Sequence, residues 1–165
     1  MDSGKDEAVP PSASQVSRTI KASRAAVYRA CLDPDALAAW RAPDGMAGRM
    51  HDFDGRVGGG YRMSLTYRDT NHPLAGKSSE DTDTFRGRFI QLVPGKKMVE
   101  VVEFESPDPR FAGVMTITTT LADAPGGTQI SMSFEGLPAG ISPKDNHEGA
   151  RQSLNKLAAM LETQA

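Results

Sequence analysis

An α+β fold built on one antiparallel sheet is predicted by two observations. Between Tyr61 and Glu135 the chain reads as a run of strands joined by turns and one polar loop, and helical patterns occur only before and after that run. The last helical pattern repeats Ala150, Leu154, Leu157, Ala158 and Leu161 every three or four residues. That apolar stripe on an otherwise polar helix is the cover a one-sided sheet needs.

Each element follows from local chemistry. Residues 1–14 are rich in Ser, Pro, Asp and Gly without periodicity and read as a disordered leader; 15–165 form a single domain. Val16 and Ile20 mark a short strand ending at Ala22. Ser23 then caps a helix carrying Val27, Ala30 and Cys31 at helical spacing. Asp33 caps a second short helix with Pro34 at its first position, running through Leu37 to Trp40, and the Ala42–Gly45 turn ends it.

The β region is clearest where polarity alternates. Tyr61, Met63, Leu65 and Tyr67 share one face against Arg62, Ser64, Thr66 and Arg68. Thr70–Thr82 reads as a polar loop, Thr84–Val93 and Met98–Glu105 as a hairpin around Pro94-Gly95-Lys96, and Ser106–Pro109 as a break. Ala112–Leu121 and Thr128–Glu135 follow, joined at an Asp-Ala-Pro-Gly-Gly turn. Ser142-Pro143 then starts the closing helix, with Asp145 in its first turn.

Composition narrows the function classes. A formal charge of −2 with both signs interspersed argues against a nucleic-acid or anionic-membrane partner. No apolar stretch approaches the roughly 20 residues that span a bilayer. Cys31 is the single cysteine, which excludes an intramolecular disulfide and fits a reducing compartment. Without a basic segment followed by an apolar run, the N-terminus does not read as a secretory signal, and a cytoplasmic location is expected.

The stretch FDGRVGGGYRM, 53–63, invites a phosphate-loop reading that its context refuses. No Lys-Ser or Lys-Thr follows Gly60, and what begins at Tyr61 is a strand, not a helix whose free N–H groups could take a phosphate. Glycines leading into a strand instead permit a bulge, a positive φ or close backbone approach. Taken with Ile20–Ser23, Val27-Tyr28, Asp33–Leu37, Trp40, Asp54–Gly59, Phe85–Gly87 and the amphipathic last helix, this pattern resembles the Hsp90-ATPase-activator-homologue-like (AHSA1-like) group of the START/Bet v 1-like superfamily, which includes polyketide-cyclase-like proteins. The resemblance spans about residues 15–163. It implies a helix-grip fold, a curved sheet of about six or seven strands wrapped around the C-terminal helix with a cavity between them.

No catalytic or metal constellation emerges from the sequence. His51, His72 and His147 share no ligand spacing, His51 is expected on the opposite strand face from Asp52 and Asp54, and the acids at 80, 81 and 83 read as a solvated loop cluster. Cys31 reads as inert packing. Methionines 63, 98, 115, 132 and 160 suggest an adaptable apolar lining or, equally, core filling. The expectation is a non-enzymatic protein without cofactor or metal, binding a small hydrophobic or amphipathic ligand through Trp40, Tyr61, Met63, Tyr67, Phe85, Met115, Met132, Phe134, Leu157 and Met160. For Trp40 a packing role is favoured over a place at the cavity mouth. The alternative is a cyclase- or hydrolase-type enzyme using His51, Tyr61, Tyr67 or Glu103 as acid or base. An Hsp90 co-chaperone role rests on the family label alone, and a homodimer is left open.

Overall fold

The computed structural model describes residues 14–67 and 82–162. Except for Ser14, which opens the first strand, and Thr82, the expected leader and the 70–82 loop lie outside them. Strand β1 (Ser14–Ile20) leads into helices α1 (Arg24–Cys31) and α2 (Pro34–Arg41). Strands β2 (Met46–Phe53), β3 (Gly60–Tyr67), β4 (Thr82–Val93) and β5 (Lys97–Phe104) come next. A single 3-10 turn at Pro109–Phe111 precedes β6 (Met115–Ala124), β7 (Gly127–Glu135) and the long helix α3 (Pro143–Glu162).

The helix starts are those the sequence specifies. The Ser23 side chain accepts from the Ala26 N–H at 3.1 Å, Asp33 accepts from Asp35 N–H and Ala36 N–H, and Ser142 accepts from Asp145 N–H at 3.0 Å. Each cap satisfies donors that a helix leaves open, a contribution of about 1 kcal/mol per cap.

The seven strands form one curled antiparallel sheet in the order β1-β7-β6-β5-β4-β3-β2. Strands β2 to β7 run as a meander in chain order, while β1 pairs with β7 from Ser14–Phe134 to Ile20–Thr128. The strands flanking α1 and α2 therefore lie on opposite edges of the sheet, and the two helices carry the chain between those edges. Helix α3 packs against β1 and α2. It presents Ala150, Leu154, Leu157, Ala158 and Leu161, the expected stripe, with Ser153 added. This is the α+β helix-grip architecture.

The inward residues of the sheet join α1, α2 and α3 in one apolar core. Met63, Ile117, Ile130, Met132 and Leu157 are at most 2% exposed, so the sheet and α3 share one continuous interior. The expected faces of β3 and β7 are the observed ones.

Among the differences from the sequence reading, three concern strand ends and the residues they place. The segment 46–53, not delimited beforehand, is an edge strand whose pairing with β3 slips between Met50 and Asp52. That bulge breaks the alternation, and Asp54 falls beyond the strand end rather than on its face. Strand β4 begins at Thr82, so Asp83 is a buried inward residue opposite Leu65 and not part of a solvated cluster. Strand β1 ends at Ile20, two residues early, because the Ala22 N–H turns back to the Ile20 carbonyl at 2.8 Å.

The glycine run is structural. Gly58 has φ +89°, and a Cβ on Gly60 would stand 2.0 Å from the Gly87 carbonyl oxygen of the neighbouring strand. The Gly58 N–H donates to Phe89 O and the Phe89 N–H to Gly59 O, so the run is laced to β4 by its own backbone. No helix follows it.

Candidate functional site

Among the buried polar residues, three side chains from three elements form one cluster. Arg41 is the last residue of α2, Tyr61 lies near the start of β3, and Glu100 is at mid-strand in β5. Period two places Glu100 on the inward face with Met98 and Val102. The Arg41 and Glu100 side chains are only 10% and 6% exposed.

Tyr61 bridges the two charges. Its hydroxyl donates to Glu100 Oε1 in a short contact and accepts from Arg41 Nη2 at 3.3 Å. The direct Arg41–Glu100 approach is looser, 3.5 Å. Arg41 also lies over aromatic faces, with Cζ 5.7 Å from the Trp40 ring centre and 6.0 Å from that of Tyr61.

The position of Tyr61 depends on Gly87, its cross-strand partner on β4. A Cβ on Gly87 would fall 2.4 Å from the Tyr61 ring. With no side chain there, the ring lies flat across β4 and its hydroxyl reaches β5. Phe85 and Phe89, inward residues of the same strand, flank the ring with centroids 6.1 and 5.8 Å away.

Electrostatics hold Tyr61 and Arg41 each in one protonation state. Burial, followed by the Glu100 charge, raises the Tyr61 pKa well above its ordinary value, so the phenol stays protonated. Burial opposes the Arg41 charge, but Tyr61 and Glu100 outweigh it and hold the guanidinium charged. Nearby Cys31 is buried, and its thiol is pushed up to about 12, first by burial. That agrees with inert packing and not with a nucleophilic thiolate.

The residues expected to touch a ligand fall into three groups. Tyr61, Met63, Phe85, Met115, Met132, Phe134 and Leu157 are buried together in the core beneath the sheet. Tyr67 and Met160 are half-buried and pack against that core. Trp40 is 1% exposed and its indole Nε1–H donates to the Ala30 carbonyl at 3.1 Å, tying α2 to α1. This is the packing role favoured for it.

The acid–base candidates divide differently. Tyr61 is in the cluster and Tyr67 is not. Glu103 is exposed on the outer face of β5, one register row from the interior, so the inward acid is Glu100. His51 is exposed at the β2 bulge, where its Nε2 pairs with Ser64 Oγ at 2.8 Å. The alternation signal fails at β5 because Val99 and Val101 make its outer face apolar too. Arg41 lies at a helix end beside a turn, where a cation ordinarily reads as a solvated C-terminal charge.

Among the depressions bordered by described residues, two open to the surface. One, about 840 Å³, lies between α1 and the β4–β5 turn beside Tyr28, Arg29, Leu32 and Lys96. The other, about 570 Å³, lies along the glycine run beside Arg62, Arg86 and Glu103. Of the expected ligand contacts, Tyr61 alone borders either. Among the described residues no group of three or more His, Cys, Asp or Glu could hold a metal ion, and no helix is long and apolar enough to cross a membrane.

Similar proteins share this architecture. A Chromobacterium violaceum protein of known structure is 35% identical, with a TM-score of 0.81, over 93% of this chain and 99% of its own. An AHSA1-like protein from Aeromonas hydrophila is 19% identical, with a TM-score of 0.70 over 92% of this chain and 93% of its own. A Rhodobacter sphaeroides protein is 18% identical, with a TM-score of 0.72 over 95% and 97%. At those lower identities the likeness is one of fold. No curated protein matches the chain. The family model described as activator of Hsp90 ATPase homolog 1-like protein matches residues 21–162, and with the helix-grip fold and the 35% identical relative this establishes that the chain belongs to the AHSA1-like family of the Bet v 1/START-like fold.

Proposed function

We propose that the protein binds a small amphipathic molecule between the sheet and α3, with Arg41, Tyr61 and Glu100 as the polar end of the site. Met63, Phe85, Met115 and Met132 supply an adaptable apolar end. The observation that carries this reading is the charged pair bridged by a phenol on the inner side of the sheet. Burying two charges returns little net stability over an apolar replacement, so such a cluster needs a reason other than holding the fold. Orienting the polar group of a ligand is that reason.

Native mass spectrometry of freshly purified protein tests it. A retained small-molecule mass, lost on denaturation, is the expected result. A bare mass, together with no response to any added amphipathic compound, would overturn the reading.

The Tyr61–Glu100 contact favours one second reading, acid–base chemistry at the same place. A carboxylate beside a protonated phenol can accept a proton while the phenol donates a hydrogen bond to the oxygen that gains charge. In that case Tyr61→Phe would lower turnover by at least tenfold while leaving ligand affinity within a few-fold, whereas equal losses of both would mark Tyr61 as a binding residue only.

A further inference from the structure

The depression between α1 and the β4–β5 turn has room for a small molecule, about 840 Å³, and none of the residues assigned to the sheet–α3 site lines it. Much of its wall is apolar, with Leu32 and Pro34 on the helical side and Pro94 on the turn. Arg24 spans the two sides. Its Nε donates to Asp123 Oδ1 at 2.9 Å and its Nη1 to the Gly95 carbonyl at 3.0 Å, which ties the start of α1 to the turn.

Each side also carries an unused cation. Arg29 stands on α1 and Lys96 on the turn, both exposed and both lining the depression. Among the described residues neither has a hydrogen-bond or ion-pair partner. Elsewhere Arg24, Arg56, Arg62, Arg86, Arg110 and Arg151 each hold a carboxylate, so the free state of Arg29 is not the habit of this surface. A third unused donor is the Tyr28 hydroxyl, which borders the same space, has no partner among the described residues and is open to solvent. Burial, then Cys31, raises its pKa above the ordinary value, so it keeps its proton.

Charge then selects the occupant. Arg24 is already matched by Asp123. Among the described residues that line the depression Asp33 is the one acid, and its Oδ1 is engaged by the Asp35 and Ala36 N–H groups as the cap of α2. Arg29 and Lys96 against Asp33 leave a single positive charge. A monoanion cancels it, a dianion reverses it, and a cation would meet two like charges. A carboxylate accepts from guanidinium, ammonium and phenol alike. The Leu32, Pro34 and Pro94 surface favours an apolar body behind that head group.

We propose that this depression is a second binding site, for a monocarboxylate with an apolar body. The carboxylate lies between Arg29 and Lys96 with the Tyr28 hydroxyl as a further donor, and the body rests on Leu32, Pro34 and Pro94. The site is independent of the reading that places a ligand between the sheet and α3.

Matched probes test this: octanoate, methyl octanoate and octylamine, with 2-naphthoate, methyl 2-naphthoate and 2-naphthylmethylamine as the aromatic set. Titrations at pH 7 and low salt are followed in the unaltered protein through the Arg29 δ-methylene, Tyr28 ring and Met63 methyl resonances. The carboxylate of at least one set is expected to move the Arg29 and Tyr28 signals and leave Met63 in place. Exposed ion pairs are individually weak, so its advantage over the matching ester and amine should be modest, at least fivefold. That advantage should vanish in the double variant Arg29→Gln with Lys96→Gln. An ester or amine that binds as tightly as its carboxylate, a bound carboxylate that leaves Arg29 unmoved, or no binding by either carboxylate would overturn the proposal. Movement of Met63 without Arg29 would place the probe between the sheet and α3, which supports that reading and overturns this one. The resonances are read in the native chain, so the outcome does not depend on how the double variant folds.

Discussion

Tyr61 lies across Gly87. The ring occupies the space where any other residue at position 87 would place its Cβ, and this is how a β3 hydroxyl contacts a β5 carboxylate across an intervening strand. Gly87→Ala must displace either the ring or the strand. Overpacking of this kind costs about 1–3 kcal/mol, so the urea midpoint of G87A should fall with little change in slope. The displaced ring should also raise ligand dissociation at the Arg41 cluster; a variant as stable as the parent would show that β4 yields there at no cost.

Breaking and replacing the buried pair should have opposite outcomes. Glu100→Leu leaves Arg41 charged and unmatched, a loss of about 3–5 kcal/mol in chemical denaturation. The double change Arg41→Met with Glu100→Leu removes both charges and should recover most of that loss. Ligand retention should nevertheless be absent in the double variant, separating the role of the pair in binding from its role in the fold.

Cys31 should resist thiol reagents in the native state. With its pKa at about 12, roughly one thiol in ten thousand is ionised at pH 8, and burial blocks access to that fraction. Labelling by iodoacetamide should be slow in buffer and rapid in denaturant. Fast native labelling would show that α1 opens readily from the core.

Glu105 should contribute acid-sensitive stability on the outer face. Its carboxyl is bound by Arg62 at 2.9 Å and Arg86 at 2.8 Å, and these bonds hold its pKa at about 2 against an ordinary 4.5. A carboxylate with a depressed folded pKa stabilises fully above the unfolded value and loses that contribution as pH falls through the folded one. The effect should therefore fade between pH 4.5 and 2. The group is 31% exposed and Arg86 is 68% exposed, so solvent screening limits it to on the order of 1 kcal/mol. Glu105→Gln should flatten the pH dependence of unfolding in that window while the parent retains it.

The sequence yields the scaffold more readily than the site, for a physical reason. Strand faces are legible where one face is polar, as in β3 and β7, and helix starts where Ser23, Asp33 and Ser142 mark them. In β5 the outward Val99 and Val101 erase that contrast, so the inward Glu100 is indistinguishable by pattern from the outward Glu103. Asp83 is obscured in the same way, standing next to a polar stretch although it is buried in β4. A buried acid in a core violates the pattern by which cores are recognised, and only the cross-strand register places it beside Tyr61.

The pairing of β1 with β7 bears on how the chain reaches this state. Every other strand pair joins neighbours along the chain, whereas Ser14 meets Phe134 across 120 positions of sequence. Local hairpins close at small entropic cost and remote pairs at a larger one, so β1 is expected to dock after the β2–β7 meander has formed. Until it does, β7 is an open edge that a second chain could pair with in its place. Refolding at high concentration should therefore give strand-exchanged dimers, with the first strand of each chain completing the sheet of the other.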